Sequence, residues 1–173
     1  MEQLLELVRK AKAKDAKAFA GLYELIYKDL YRFALYTLKN KEDAEDVVSE
    51  TVMDAYASIH KLRREEAFKA WMFRILTNKC KNRLKEYTRK TVDLEEVEHL
   101  IFEEEELADS LHIRRVFGQL SDEERLIVSM HVFGGYHTRE IAAILHMNHN
   151  TVRTKESRAY KKMAEKLQSQ EVF

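Results

Sequence analysis

The chain has 173 residues, enough for one domain or for two small ones with modest cores. Its 45% hydrophobic content excludes wholesale disorder, and the absence of proline, with only four glycines, points to an all-α protein. Lys+Arg and Asp+Glu both number 30, so the average is not that of a basic nucleic-acid binder, and any such surface must come from local segregation of charge.

The single cysteine, Cys80, excludes an internal disulfide and fits a reducing compartment. The first residues, "MEQLLELVRKAKAKDAKAFAG", lack an apolar stretch of signal-peptide length. No run approaches the roughly 20 apolar residues of a membrane span. The expectation is a soluble, cytoplasmic protein without membrane insertion.

The first clear periodicity runs from Asp15 to Leu38. Phe19, Leu22, Tyr23, Ile26, Leu30, Phe33, Ala34 and Leu38 recur at helical spacing, and Asp15 fits the N-cap. "KNKED" interrupts the pattern. A second helix then places Ala44, Val47, Val48, Val52, Ala55, Tyr56 and Ile59 on one face, with Asp43, Asp46, Glu50 and Asp54 on the other. Glu45 joins Asp43, Asp46 and Glu50 in an expected acidic, exposed edge.

After "HKLRREE" a third helix is predicted from about Ala67 to Tyr87. The stretch from Phe68 to Lys90 holds eight Lys or Arg and one Glu. Phe68, Trp71, Met72, Ile75, Leu76, Cys80 and Leu84 form its apolar side. Arg74, Thr77, Asn78, Lys81, Asn82 and Lys85 form one polar stripe suited to phosphates and exposed bases. Trp71 and Phe73 read as packing residues rather than base stackers.

Composition changes abruptly at Thr91. "TVDLEEVEHLIFEEEELAD" carries nine acidic residues and no Lys or Arg. It reads as a flexible, solvated linker, or as an acidic tether that mimics or repels nucleic acid. The expected organisation is therefore two small helical domains, 1–90 and 110–173, joined by an acidic linker at 91–109.

Beyond the linker, "SLHIRRVFGQL" reads as a short helix. Ser121-Asp122-Glu123-Glu124 is a capping-box sequence opening the next helix, which Gly134 and Gly135 end. Thr138 is expected to cap the helix "REIAAIL", and Asn148 the last one, which runs to about Leu167.

Two readings compete for "LHMNHNTVRTKESRAYKKM". His146 and His149 form an H-x-x-H pair, but a metal site needs at least three convergent ligands, and this pair straddles a predicted turn. A helix-turn-helix explains more residues. Ala142 or Ala143 supplies the small residue at the helix crossing, Leu145 and Met147 bracket the turn, and Val152 anchors the second helix. His146 takes the turn position that needs positive φ, which His tolerates better than most side chains. Val152, Ala159, Met163 and Leu167 then face the core. Asn150, Arg153, Thr154, Ser157, Arg158 and Lys161, with Lys155, form a polar and basic face able to read base edges and phosphates. Arg153 and Arg158 are the expected base readers, and Lys155, Lys161 and Lys162 the expected backbone-contacting or solvent-facing lysines.

Three stretches together resemble the bacterial sigma factors of the extracytoplasmic-function (ECF) group: "KEDAEDVVSETVMDAY", "AFKAWMFRILTNKCKNRLK" and "LSDEERLIVSMHVFGGYHTREIAAILHMNHNTVRTKESRAYKKM". The resemblance covers about Asp15 to Leu167. It implies that the acidic helix, with Asp43, Glu45, Asp46 and Glu50, docks on the β′ clamp helices of core RNA polymerase. It implies that Arg63, Arg64, Arg74, Asn78, Lys81, Asn82 and Lys85 serve the −10 element of promoter DNA, the loop at Leu62–Glu66 holding a flipped base. The last stretch would read the −35 element and touch the β flap. A cognate anti-sigma factor is implied as a further partner. The chain departs from the family pattern at Ser49, Val52-Met53, His146, Asn150-Thr151 and Glu156.

No glycine-rich phosphate loop and no nucleophile–base motif is present, so neither enzymatic activity nor a cofactor is expected. The alternatives are a stand-alone helix-turn-helix regulator with a helical sensor or dimerisation domain, and a protein-binding adaptor.

Overall fold

The computed structural model describes residues 2–90, 113 and 115–168, and all its regular elements are helical. The acidic segment expected as a linker at 91–109 lies outside the described residues.

Asp15 starts the first long helix as expected. Its Oδ1 accepts from the backbone N–H groups of Lys17 (2.9 Å) and Ala18 (3.1 Å), a cap that stabilises by about 1 kcal/mol. This helix, α2 (Ala16–Leu38), ends where Lys39 turns into the left-handed region at φ 58° and returns its N–H to the carbonyl of Leu35. Asn40 then caps α3 (Lys41–Ser58) by accepting the N–H of Asp43 at 2.9 Å. A left-handed lysine followed by an asparagine cap is what breaks the pattern at "KNKED". Two short 3-10 turns (Ile59–Lys61 and Glu65–Ala67) lead into α4 (Phe68–Lys90).

A helix that the sequence reading passed over precedes these. α1 (Glu2–Lys12) buries Val8 and Ala11 and packs on α2 and on both 3-10 turns. Leu4, Leu7, Val8 and Ala11 are its helical signal, hidden among charges.

The predicted apolar faces of α2 to α4 are largely the observed core. Leu22, Ile26, Leu30, Phe33, Ala44, Val47, Met72, Leu76 and Cys80 are all buried, and Phe33 meets Phe73 edge-on at 5.6 Å. Tyr23, Trp71 and Ile75 are half-buried, and three further positions differ. Tyr56 is exposed, its ring edge resting on Phe19 at 5.1 Å. Val52 is only half-buried. Thr77, placed on the polar stripe by its residue type, is fully buried.

In the second half, a helical stretch at 115–118 precedes α5 (Asp122–Val132), α6 (Thr138–Leu145) and α7 (His149–Gln168). Ser121 and Glu124 form the expected capping box, each side chain accepting the other's backbone N–H. The chain leaves α5 through Gly134 and Gly135. A Cβ at Gly134 would stand 2.7 Å from the carbonyl oxygen of Met130, and Gly135 has φ +70°.

The start of α6 differs from expectation. His137, not Thr138, is the N-cap residue, its N–H donating to Glu140 at 2.8 Å. Thr138 is the first helical residue, and its hydroxyl is used elsewhere. The turn behaves as predicted. His146 lies at φ 56° and ψ 42°, and Asn148 accepts the N–H of Asn150 at 2.8 Å.

The two helical units pack on each other. α5 touches α2 and α4 on one side and α7 on the other, which is why every residue from Glu124 to Met130 is buried, the polar ones included. Leu126, Ile127, Met130, Tyr136, Ile141, Leu145 and Val152 join the core of α2 to α4. Tyr36 of α2 stacks on Phe133 at 5.5 Å and tilts against Phe117 at 4.8 Å. Across the same seam the Tyr136 hydroxyl donates to the carbonyl of Ala70.

Candidate nucleic-acid interface

The positive-φ turn at His146 aims α7 so that one face is covered and the other open. Val152 and Ala159 are fully buried against α5 and α6. Met163 is half-buried and Leu167 is 45% exposed, so the core seam expected to reach Leu167 stops about one turn earlier. Ala142, not Ala143, faces the helix crossing. On the open side Asn150, Arg153, Thr154, Ser157, Arg158 and Lys161 are all exposed. Thr154 turns its hydroxyl back to the carbonyl of Asn150 at 2.8 Å.

Two lysines leave that face. Lys155 lies 2.7 Å from Glu123. Lys162 lies 2.8 Å from Glu124, whose carboxylate also accepts from the Ser121 backbone. Burial raises the Glu124 pKa, but Lys162 and Ser121 outweigh it, and the carboxyl is held below its ordinary value. Both lysines tie α7 to the first turn of α5 and are not simply solvent-facing.

On α4, Arg74, Asn78, Asn82 and Lys85 are exposed along one side. Lys81 is half-buried and donates to the carbonyl of Leu145 at 3.3 Å, across the seam between the units. Thr77 drops out of the stripe because it faces the core. Arg63 and Arg64 are exposed between the two 3-10 turns, where Arg64 lies 3.8 Å from Glu66. With Trp71 and Arg74 they line one wall of a groove whose other wall includes Tyr136, Glu140 and Ile144 of the second unit. Phe73 is fully buried, while Trp71 is half-buried, packed on Phe68 and open to this groove.

The acidic face of α3 is split rather than continuous. Glu45 and Asp46 are exposed. Asp43 accepts from the Tyr87 hydroxyl and lies 2.9 Å from an Arg83 Nη1. Burial, followed by the Asp43 carboxylate, pushes the Tyr87 hydroxyl well above its ordinary pKa. Glu50 lies 3.2 Å from Lys79 and 3.8 Å from Arg83, and Asp54 lies 2.7 Å from Lys79. The single exposed edge expected from residue type is therefore two surfaces: Asp43, Glu50 and Asp54 clip α3 to α4, and Glu45 and Asp46 face outward beside Ser49 and Met53.

His146 and His149 are both exposed, and among the described residues no three His, Cys, Asp or Glu side chains come together as metal ligands. Cys80 is buried, and burial pushes its thiol pKa up, so it is held as a neutral packing group. Among the described residues no helix is long and apolar enough to cross a membrane.

Two family models match the chain: sigma-70 region 2 over residues 22–90 and sigma-70 region 4 over residues 110–163. The RNA polymerase sigma factor SigV of Bacillus subtilis is 30% identical over 136 residues, 78% of this chain and 82% of that protein. The ECF sigma factor SigM of Mycobacterium tuberculosis is 27% identical over 92% of this chain and 82% of its own. The ECF sigma-E factor of Escherichia coli is 29% identical over 96% of both. Among solved structures, the sigma factor RpoE of Bartonella quintana, in complex with the anti-sigma factor NepR, aligns at a TM-score of 0.69 with 25% identity. That alignment covers 88% of this chain and 98% of RpoE. CnrH, solved with the cytosolic domain of CnrY, aligns at 0.66 with 21% identity over 96% and 98% of the two chains, a likeness of fold. The region 2 match falls on the half of the chain that a stand-alone regulator would give to sensing or dimerisation. With α3 and α4 inside one match and the turn and most of α7 inside the other, the chain belongs to the sigma-70 family of RNA polymerase sigma factors, in its ECF group.

Proposed function

We propose that this chain divides the work of a promoter-specific initiation factor among three surfaces. The open face of α7 reads the −35 element, with Arg153 and Arg158 at base edges and Asn150, Thr154, Ser157 and Lys161 beside them. α4 and the preceding loop read and open the −10 element through Arg63, Arg64, Arg74, Asn78, Asn82 and Lys85, with Lys81 recruited once its bond to Leu145 is released. Glu45 and Asp46 meet the β′ clamp helices of core RNA polymerase, and the second unit meets the β flap. Partners in the RpoE and CnrH complexes motivate a cognate anti-sigma factor for this chain too.

The observation that carries this reading is the presence of two exposed basic faces, on α4 and α7, in separate units of a chain with no net charge. Elements named for positions −10 and −35 lie about 25 base pairs, or about 85 Å, apart along B-form DNA. A packed chain of this length has a radius of gyration of only about 16 Å. The packed arrangement and the promoter-bound arrangement are therefore two states, and the seam between the units opens on the way to DNA.

Reconstitution with core polymerase tests the division of labour. Asn78→Ala and Asn82→Ala should reduce open-complex formation, read by reactivity of unpaired thymines, more than closed-complex binding. Equal loss at both stages would make these residues general phosphate contacts.

A further inference from the structure

Glu156 is the one acidic residue on the buried side of the recognition helix α7. It is 9% exposed and sits between Val152 and Ala159, both at 0%. Its two carboxylate oxygens face two different helices. Oε2 accepts from the hydroxyl of Thr138, 3.0 Å away on the first turn of α6. Oε1 stands 3.1 Å from Nδ1 of His131 near the end of α5. One side chain thus links α5, α6 and α7, next to the edge-on contact between His131 and Tyr160.

Residue type alone would favour an apolar group here. Burying a carboxylate is costly unless its oxygens are paired, and here the Thr138 hydroxyl donates to Oε2 while a His131 ring nitrogen lies beside Oε1. What the carboxylate adds over a leucine is direction. Apolar packing tolerates small rotations of a helix about its axis, whereas hydrogen bonds weaken steeply with angle and distance. Rotation matters for this helix. A turn of about 20° moves a side-chain tip at roughly 6 Å from the axis by about 2 Å, enough to lift an Arg off a base edge. Two other polar ties of α7, Lys155 to Glu123 and Lys162 to Glu124, reach the start of α5. Glu156 instead ties the helix to the end of α5 and to α6.

We infer that Glu156, through Thr138 and His131, is a positioning residue for −35 reading: it sets the rotational register of α7 and so which bases Arg153 and Arg158 meet. The inference rests on the assignment of α7 to the −35 element. Glu156 touches no DNA itself, and its effect is on selectivity between sequences more than on overall affinity.

The test uses full-length protein in reconstituted holoenzyme, on templates that share one −10 element and differ by single base pairs in a −35 element selected with the wild type. Glu156→Leu fills the space without hydrogen bonds, Thr138→Val removes the hydroxyl and keeps the shape, and Thr138→Ser restores it. Glu156→Leu and Thr138→Val should each lower discrimination between the selected and altered −35 sequences at least fivefold. Discrimination at the −10 element should stay unchanged, and Thr138→Ser should stay within twofold of wild type. If Glu156→Leu fails to fold, the Thr138 pair carries the test. Wild-type −35 discrimination in Thr138→Val, or in a folded Glu156→Leu whatever its melting temperature, would overturn the inference and leave ordinary packing. Absence of any −35 preference in the wild type would overturn the assignment of α7, and the inference with it.

Discussion

The guanidinium of Arg125 in α5 donates its Nε–H to the carbonyl oxygen of Thr37 in α2, 3.1 Å away and 88 residues back along the chain. Arg125 is 3% exposed, and its remaining nitrogens reach the carbonyl of Leu120, at 2.6 Å, and the carboxylate of Asp122. Burial lowers its pKa, with Asp122 opposing, yet a guanidinium stays charged in any protein environment. Its planar fork meets three acceptors in three directions, which a lysine ammonium cannot reproduce. Arg125 is thus a clasp between the units.

Removing that clasp should cost stability. Arg125→Ala leaves two buried carbonyl oxygens without this donor and should destabilise by about 3 kcal/mol, read by urea unfolding. Arg125→Lys should fall between the two. Small-angle scattering should show a larger radius of gyration for Arg125→Ala than for wild type under native conditions. Wild-type stability in Arg125→Ala would remove the clasp from the account.

The Glu124–Lys162 pair should appear in the pH dependence of stability. The folded carboxyl of Glu124 titrates below its ordinary value of 4.5, so the folded state holds this proton less tightly than the unfolded state. Its stabilisation is therefore fully present above about pH 5 and is lost as pH falls through the folded pKa. With Lys162 half exposed, the contribution is about 1 kcal/mol. Glu124→Gln should unfold more easily than wild type at pH 7, and the difference should shrink towards pH 3. A difference independent of pH would mean that the capping-box geometry, and not charge, carries the effect.

The split acidic face of α3 makes two opposite predictions within one helix. Reversing the exposed pair, Glu45→Lys with Asp46→Lys, should weaken binding to core polymerase about tenfold or more and leave the melting temperature within a degree or two. Asp43→Ala should lower stability by about 1–2 kcal/mol, because the Arg83 guanidinium and the Tyr87 hydroxyl lose their shared acceptor. Fluorescence titration with core polymerase and a thermal melt on both proteins separate the two roles. Unchanged polymerase affinity in the reversed pair would move the docking surface off this face.

These contrasts show which features the sequence made legible. Asp15, the Ser121–Glu124 box, the turn at His146 and the Asn148 cap were all readable because each signal and its partner lie within a few residues. The apolar faces of α2 and α4 were readable because burial follows helical period. Arg125, Thr77, Asp43 and Glu156 were not. Each is a polar side chain whose surroundings come from another helix, dozens of residues away in most cases, and residue type alone assigns such groups to the surface. Glu156 was visible as a departure from the family pattern, but its partners Thr138 and His131 were not. Lys155 and Lys162 show the same limit on α7, where helical spacing separated the faces but could not find the two glutamates that hold them. α1 was missed for another reason: its five apolar residues were diluted by charges, and most of its packing is against α2.

The central claim is that one chain reads two separated promoter elements through α4 and α7 while bound to core polymerase. Transcription from a randomised promoter library by core polymerase, with and without this protein, tests it most directly. The account predicts two enriched motifs centred about 25 base pairs apart, appearing only when the protein is present, with Arg153→Ala relaxing the upstream motif alone. No enrichment, or a single palindromic motif bound equally well without polymerase, would contradict it.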